Sequence, residues 1–278
     1  MSFLSSVGSL FGWFPGHSQP SGDFTPSYND VCQARAILKT LDLPTELVLQ
    51  ILDHSEYWPQ HIFVTSPDQP TVAQAAGFQS SEACLCLDAG IFNNPAVDPI
   101  RKGGEIPKIH SIEFEVVSKD QGWTSENTHN TYSTSSWLET SIMRTDNPDN
   151  MRLPSPSTHL FGQSSAVQTF EDPSDFHSWV ADRGWYLVKR PESAEQGPQG
   201  GEGDFAWYLQ GNRVAAGRDG YKVVWARDGV EGNEGAGTGK GFLEELKEGD
   251  RLLVWARAKW TGWRCVVESV KVTVRYGF

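Results

Sequence analysis

The sequence has few cysteines, few basic residues and no long apolar run. Only 4 of its 278 residues are cysteine, too few for the disulfide framework of a secreted domain. No stretch approaches the roughly 20 apolar residues that cross a bilayer, so we expect no membrane span. Lys and Arg number 23 against 35 Asp and Glu, a net charge of −12. This balance argues against proteins that follow nucleic-acid phosphates with clustered basic side chains.

The first residues do not look like a targeting segment. Residues 1–14 are moderately apolar, but they contain no Lys or Arg and no clear small-residue cleavage site, both of which a secretory signal has. We therefore expect a cytoplasmic protein. In that setting the four thiols are expected to be small buried hydrophobic groups, because Cys84 and Cys86 lack two further ligands at zinc-site spacing.

Motifs for phosphate, metal and nucleophile chemistry are incomplete. The run GAGTGKG at 235–241 follows Glu234 where a P-loop needs Gly, and it has Gly241 where a P-loop needs Ser or Thr. No two of the 7 His have helical zinc-pair spacing, and no Gly-x-Ser-x-Gly elbow is present. We expect no metal and no cofactor.

Acid–base chemistry assembled by folding stays open. Asp120, His129 and Glu139 lie near the ends of predicted strands, where they are candidates for an acid–base set. The alternative is that these side chains bond loop backbone.

Helical periodicity is confined to residues 28–59. Asn29 or Asp30 is the predicted cap of a first helix that ends near Thr40, and Asp42 is the predicted cap of a second helix that Pro59 stops. Residues 1–27 have no period and are predicted to be an irregular arm.

From residue 60 onward the apolar period is that of strands. Apolar residues alternate with Glu113 and Glu115 in segment 109–118, and further strands are predicted at 61–65, 83–88, 137–144, 185–189, 205–210, 221–227, 252–259 and 266–276. We predict a mainly β fold, an antiparallel β-sandwich or jelly roll over residues 60–278. Long polar loops are expected near 145–178 and 190–204, the first being either a lid or a solvated insertion.

Aromatic residues are the most informative feature, with 11 Trp, 7 Tyr and 14 Phe. Alternation along 252–259 puts Trp255 and Arg257 on one face, and a second Trp-Ala-Arg triplet stands at 225–227. We expect two strands to present Trp and Arg in matching order, suited to stacking and hydrogen bonding. The result is either a ligand groove or an aromatic surface beneath the N-terminal helices. The candidate ligand-binding residues are Trp123, Tyr132, Trp207, Tyr208, Gln210, Asn212, Trp255 and Arg257.

Several motifs resemble known families. LPTEL at 43–47, with Ile51 and Leu52, resembles the opening of an F-box, the helical module that docks on Skp1-type ubiquitin-ligase adaptors. A family of filamentous-fungal proteins has motifs similar to EYWP at 56–59, KDQGW at 119–123, WYLQGN at 207–212 and GDRLLVWARA at 249–258. That resemblance implies a short F-box-like helix joined to a Trp-rich β-sandwich, and it implies no agreed activity.

Three functions remain open from the sequence. The first is a protein that binds a small apolar, aromatic or carbohydrate-like ligand in an aromatic groove. The second is a pericyclase-like, cofactor-independent cyclase or isomerase of fungal specialised metabolism, with Asp120, His129, Glu139 and Arg257 as candidate catalytic residues. The third is an F-box-type adaptor with a Skp1-like partner.

Overall fold

A computed structural model describes residues 24–65, 69–77, 80–147, 149–150, 154–161, 169–200 and 202–278. Its strands are β1 Gln60–Val64, β2 Thr71–Gln74, β3 Ser81–Ala89, β4 Lys108–Lys119, β5 Ser136–Arg144, β6 Tyr186–Leu187, β7 Trp207–Gly211, β8 Asp219–Ala226, β9 Gly229–Glu231, β10 Arg251–Lys259 and β11 Arg264–Gly277. Its α-helices are α1 Tyr28–Lys39, α2 Thr45–His54, α3 Val97–Lys102, α4 Pro173–Ala181 and α5 Phe242–Glu245.

The described strands form two antiparallel sheets. Sheet A has the order β1-β11-β4-β8-β9, with β2 also paired to β11. Sheet B has the order β3-β10-β5-β6, with β7 also paired to β5. The mainly β, antiparallel architecture predicted from the sequence is confirmed.

The main core lies between the two sheets. Phe114 and Trp225 face inward from sheet A, and Leu138 and Val254 face inward from sheet B, all of them almost fully buried. The alternation predicted for 109–118 and 252–259 is therefore present, with one side of each strand in this core.

The predicted loop near 145–178 contains helical structure, which corrects the prediction. Residues Pro156–Phe161 form a 3-10 helix, and α4 begins where Asp172 accepts hydrogen bonds from the N–H groups of Ser174 and Asp175. Phe176 and Val180 of α4 are fully buried. Capping residues and Pro at the start of α4 have the composition of a loop, which concealed the helix. Residues 148, 151–153 and 162–168 of this segment lie outside the described residues.

Three smaller elements were absent from the prediction: β2, β9 and α3. Each has six residues or fewer, too short for a period to be recognised. The described residues of 190–204 contain no helix or strand, as expected for a loop.

The first N-terminal helix begins earlier than predicted, and the second begins later. Ser27, instead of Asn29 or Asp30, caps α1, and the Asp30 carboxylate accepts a hydrogen bond from the backbone N–H of Ser27. Asp42 is not a cap: it adopts a left-handed backbone with φ of 56°, and α2 starts after Pro44. Residues 1–23 of the predicted arm lie outside the described residues.

Both N-terminal helices pack together at one end of sheet A. Val31, Val48, Leu52 and Trp58 form a separate apolar cluster, against which Phe278 at the end of β11 also packs. These helices therefore do not cover the Trp255 face of sheet B. No helix within the described residues has the length and apolar character needed to cross a membrane.

The glycine-rich run at 235–241 is built into the fold through close packing. The indole N–H of Trp225 donates to the carbonyl of Gly237 at 2.8 Å. A Cβ on Gly239 would lie 2.2 Å from the Trp225 ring, and the φ of Gly239 is +59°. Only glycine fits this approach, so the run serves packing.

We expect Gly239→Ala to destabilise the protein more than Gly122→Ala. Both glycines have positive φ, but a Cβ at Gly122 meets no atom within 4 Å. Backbone strain should cost about 1–2 kcal/mol in each variant, and the clash with Trp225 should add about 1–3 kcal/mol in Gly239→Ala alone. Urea unfolding of both variants measures the difference. Equal losses would mean that the Trp225 contact is not tight.

Candidate functional site

The outer face of sheet B is covered and is not an open aromatic groove. Trp255 has no exposed surface, and its indole N–H donates to the Ser141 hydroxyl at 3.1 Å. Its ring meets Phe176 of α4 at a centroid distance of 4.9 Å. The face predicted to hold Trp255 and Arg257 is real, but α4 covers its tryptophan. Trp255 therefore belongs to a second apolar core, between sheet B and α4, and does not form the wall of a groove.

The two Trp-Ala-Arg triplets do not share a surface. Trp225 belongs to β8 of sheet A and packs on Phe114 and Phe242 in the main core. Arg227 is exposed, and its Nε donates to the carbonyl of Ile109. The prediction of matching Trp and Arg was wrong because a repeated triplet does not reveal which sheet each strand joins.

Three of the other predicted ligand-binding residues lie apart from one another. Trp207 faces the main core, and its indole N–H donates to the carbonyl of Lys240. Asn212 is fully buried, accepts from Ser118 and donates to Ser136. Trp123 is 61% exposed and lies in the loop after β4. Trp123, Trp207 and Trp255 therefore do not shape one cavity.

Nor do the candidate acid–base residues converge. Asp120 accepts hydrogen bonds from the backbone N–H groups of Gly122 and Ala215, the backbone role given as the alternative. His129 is exposed. In the described residues, no hydrogen bond or ion pair joins any two of Asp120, His129 and Glu139.

Glu139 and Arg257 meet on the outer face of sheet B. Glu139 of β5 and Trp255 of β10 are direct cross-strand partners. Arg257 is two residues beyond Trp255, so its side chain is on the same face of the sheet. The two side chains form an ion pair and are almost fully buried. Glu139 also accepts from the Trp137 indole at 3.0 Å, and Arg257 donates to the Ser81 hydroxyl at 3.1 Å.

A second carboxyl group reaches this ion pair from the 190–204 loop. Glu202 is 1% exposed, and its Oε1 accepts from the N–H of Gly197 at 3.1 Å. Its charge acts on both Glu139 and Tyr208. We call Glu139, Arg257, Glu202 and Tyr208 the buried polar cluster. Sequence reasoning missed Glu202, for which the only signal is an acidic residue between two glycines.

Three polar atoms in the buried polar cluster have no hydrogen-bond partner. They are Oε2 of Glu202, the hydroxyl of Tyr208 and Nε of Arg257. Buried polar atoms without partners are rare in folded proteins and call for an explanation.

Arg257 is the guanidinium that acts on both carboxyl groups, and Arg190 acts on Glu202 as well. Burial raises the pKa of Glu139 to about 7; Arg257 opposes this rise, and Glu202 adds to it. Burial also raises the pKa of Glu202. The cluster is thereby able to hold a proton on one carboxyl group near neutral pH.

A cleft opens beside this cluster at the edge of sheet B. Its volume is about 480 Å³, and it is lined by three short segments and one strand residue, namely 131–133, 195–198, 234–236 and Tyr208. We call it the tyrosine cleft, after Tyr132 and Tyr208. Tyr208 belongs to both the cleft and the buried polar cluster. Of the eight predicted ligand-binding residues, Tyr132 and Tyr208 line the cleft.

Glycines let the walls of the tyrosine cleft approach its tyrosines. A Cβ on Gly235 would lie 2.2 Å from the Tyr132 ring. A Cβ on Gly197 would lie 2.2 Å from the Tyr208 ring and 2.4 Å from Oε1 of Glu202. The backbone of each glycine thus packs directly against a tyrosine ring, where any side chain would clash.

Gln210 supports one wall of the cleft. It is fully buried, and its amide exchanges hydrogen bonds with Asn233 at 2.9 and 3.1 Å. The 234–236 wall begins at the next residue, and the N–H of Gly211 donates to the carbonyl of Gly235. Gln210 was predicted to touch ligand, but it positions the wall instead.

The thiols are packing groups where they are buried. Cys84, Cys86 and Cys265 lie in the main core. Burial raises the pKa of the Cys265 thiol to about 11 and that of the other two further above the ordinary range. Within the described residues, no three His, Cys, Asp or Glu side chains are grouped so that they could hold a metal ion.

Comparison with known proteins gives no functional lead. No protein-family model matches the chain, and no curated protein matches it significantly. The resemblances to an F-box and to a fungal family stay predictions. The functional argument therefore depends on the geometry of the tyrosine cleft and the buried polar cluster.

We expect Glu202→Gln to flatten the pH dependence of stability. The folded-state pKa of Glu139 lies above its usual 4.5, so protonated Glu139 contributes stability that is full below about pH 4.5 and is lost as the pH rises through about 7. Removing the charge of Glu202 should lower the pKa of Glu139. For each unit by which the pKa of Glu139 falls, the loss in the free energy of unfolding as the pH rises should be smaller by about 1.4 kcal/mol. Urea unfolding between pH 4.5 and 8 measures it.

Glu192→Gln is the matched control, because Glu192 is an exposed carboxylate in the same loop. It should leave the pH profile unchanged. A profile that is identical in wild type and Glu202→Gln, or flattened equally in the control, would contradict the coupling between Glu202 and Glu139.

Proposed function

We propose that the protein binds a small organic ligand in the tyrosine cleft. One observation carries this proposal: the hydroxyl of Tyr208, only 5% of whose side chain and backbone surface is exposed, has no hydrogen-bond partner and belongs to a residue that lines the cleft. The hydroxyl itself has essentially no accessible surface, so a ligand that bonds it must first shift the residues around it, and it then supplies the partner that the fold does not.

The composition of the cleft suits such a ligand. Its volume of about 480 Å³ is within the range of small-molecule sites. Tyr132 and Tyr208 offer ring surface, while Thr131, Ser133 and Gln196 offer polar groups at the rim. A flat apolar wall with a few oriented polar groups is typical of ligand sites.

Volume alone does not select the cleft. A larger depression of about 690 Å³ lies beside Trp185 and Tyr186. The hydroxyl of Tyr186 donates to Asp146 at 3.0 Å, and none of the described residues that line this depression has a buried polar atom without a partner. The tyrosine cleft is the better candidate for that reason.

We expect Tyr208→Phe to weaken ligand binding without lowering stability. Tyrosol, a neutral phenol of about ten non-hydrogen atoms, is a suitable probe and should bind with a Kd below about 1 mM. Losing the Tyr208 hydroxyl removes one hydrogen bond to the probe, so the Kd should rise about 3- to 10-fold. Because that hydroxyl has no protein partner, the free energy of unfolding should stay level or rise. Calorimetric titration and urea unfolding measure the two effects.

Tyr276→Phe is the matched control. The Tyr276 hydroxyl is also buried, but it donates to the carbonyl of Ile91 at 2.6 Å and accepts from Asn94 at 2.7 Å. This variant should lose about 1–3 kcal/mol of stability and bind tyrosol normally. If Tyr208→Phe behaves like Tyr276→Phe, or if tyrosol binding ignores Tyr208, the proposed function fails.

A second candidate function, an F-box-type adaptor, is favoured by the exposed face of α2. Leu47 and Ile51 are 45% and 41% exposed, while Val48 and Leu52 are buried against α1. The apolar residues that an adaptor would touch are thus separate from those that hold the helix.

We expect the double variant Leu47→Asp, Ile51→Asp to fold and to lose capture of a purified Skp1-type protein. Surface substitutions change stability by about 0.5 kcal/mol or less. The control Val48→Asp should unfold the helical pair, since it buries a charge. Capture that is unaffected by the double variant, or absent in wild type, would eliminate the adaptor function.

The remaining sequence hypotheses stay predictions. A cyclase or isomerase activity, a cytoplasmic location and a fungal family are all compatible with ligand binding. The enzyme hypothesis has a cavity shaped by Trp123, Tyr132, Trp207, Tyr208 and Trp255, and of these residues Tyr132 and Tyr208 line the cleft.

A further inference from the structure

We propose that the tyrosine cleft selects an organic cation, an amine or ammonium group carried on an aromatic or apolar body. This inference rests on the proposed function and names the ligand class of the same site. It is argued from the charges around the cleft, the partners of those charges and the two tyrosines.

The rim of the cleft is acidic. Glu195 and Glu234 line it and are exposed, and none of the described lining residues is basic. Behind Tyr208 lies Glu202, a third carboxyl group. The only hydrogen bond of the Glu195 carboxylate in the described residues comes from the backbone N–H of Thr238 at 3.0 Å, which leaves its charge unneutralised.

The nearby cations are already engaged. Arg213, which is close to Tyr132, pairs with Asp219 at 2.6 Å. Arg257 pairs with Glu139. Arg190 acts on Glu202 but gives its hydrogen bonds to backbone carbonyls of the 190–204 loop, at 2.8, 3.0 and 3.3 Å. Lys259 also donates to a backbone carbonyl of this loop, that of Gln199, at 3.2 Å. Two carboxylates, Glu195 and Glu234, thus line the cleft itself, and no cation among the described lining residues opposes them.

The tyrosines supply the second, independent observation. The hydroxyl of Tyr208 is enclosed and has no partner, and once the residues around it shift, it can accept a hydrogen bond from an ammonium N–H. The rings of Tyr132 and Tyr208 present negative π-faces, which attract cations within about 6 Å. Aromatic rings next to carboxylates are the usual surroundings of organic ammonium ligands, and a neutral or anionic ligand would gain less from either.

The net charge of −12 favours the same ligand sign. A strongly acidic surface raises the local concentration of cations and their association rate, and salt reduces both effects. An anionic ligand would be repelled by this field, and it would find no basic residue among the described residues that line the cleft.

The test compares three probes that share one phenol ring: tyramine, which is cationic, tyrosol, which is neutral, and para-hydroxyphenylacetate, which is anionic. Full-length protein is titrated with each at neutral pH and low salt. We expect tyramine to bind at least 10-fold more tightly than tyrosol, and para-hydroxyphenylacetate to bind most weakly. Added sodium chloride should narrow the difference.

The double variant Glu195→Gln, Glu234→Gln should bring the tyramine preference below about 3-fold while leaving tyrosol binding unchanged. Glu192→Gln, Glu231→Gln removes the same charge from exposed positions outside the cleft lining and should keep the preference. If tyrosol binds as tightly as tyramine, and binding still depends on Tyr208, the cation inference is overturned and the proposed function stands. If none of the three probes shows binding that depends on Tyr208, both are overturned.

Discussion

Strand β10 is buried on both faces, and the arrangement of sheet B depends on this constraint. Antiparallel sheets commonly leave one face to water, but the outward residues of β10 include Trp255, which has no exposed surface. The chain between β5 and β7 must therefore return over this face, and α4 and the 190–204 loop do so. The same cover encloses Arg257, whose guanidinium cannot lose its charge. A buried carboxylate, Glu139, is the consequence.

The tyrosine cleft follows from the same cover. The 190–204 loop contributes Glu202 to the buried polar cluster, and the same loop provides the 195–198 wall of the cleft. Gly197 allows that loop to touch Tyr208 closely. The hydrogen bond from the N–H of Gly197 to Glu202 joins the wall to the buried polar cluster.

The sequence predicted the strands and their faces better than it predicted which residues pack on those faces. Alternation on β4 and β10 revealed which residues share a face, because the period of a strand is a local property. What lies on that face is set by distant residues, so the burial of Trp255 under Phe176 was not predictable. Tyr132 and Tyr208 were found through their aromatic character. Glu202 was missed because nothing local distinguishes a buried acidic residue in a glycine-rich loop from a solvated one.

Polar residues near strand ends were the main source of error at the site. Asp120 and Asn212 have the chemistry of ligand or catalytic groups, yet both satisfy the backbone and hydroxyl groups of neighbouring segments. Their hydrogen bonds are complete, which is what distinguishes a structural polar group from a functional one. Sequence gives the residue type, whereas this distinction requires the partners.

Incomplete hydrogen bonding is concentrated at one place. Among the described residues, the buried atoms without hydrogen bonds also include Oε2 of Glu115, which is in an ion pair with Lys271, and Oε1 of Gln121. The other three belong to Glu202, Tyr208 and Arg257. An unpartnered buried polar atom costs about 1–3 kcal/mol, so a chain optimised for stability alone would carry Phe at 208 and one carboxyl group beside Arg257. Unsatisfied buried polar groups of this kind occur mainly at functional sites, and those of Glu202, Tyr208 and Arg257 lie next to an acidic cleft large enough for a ligand.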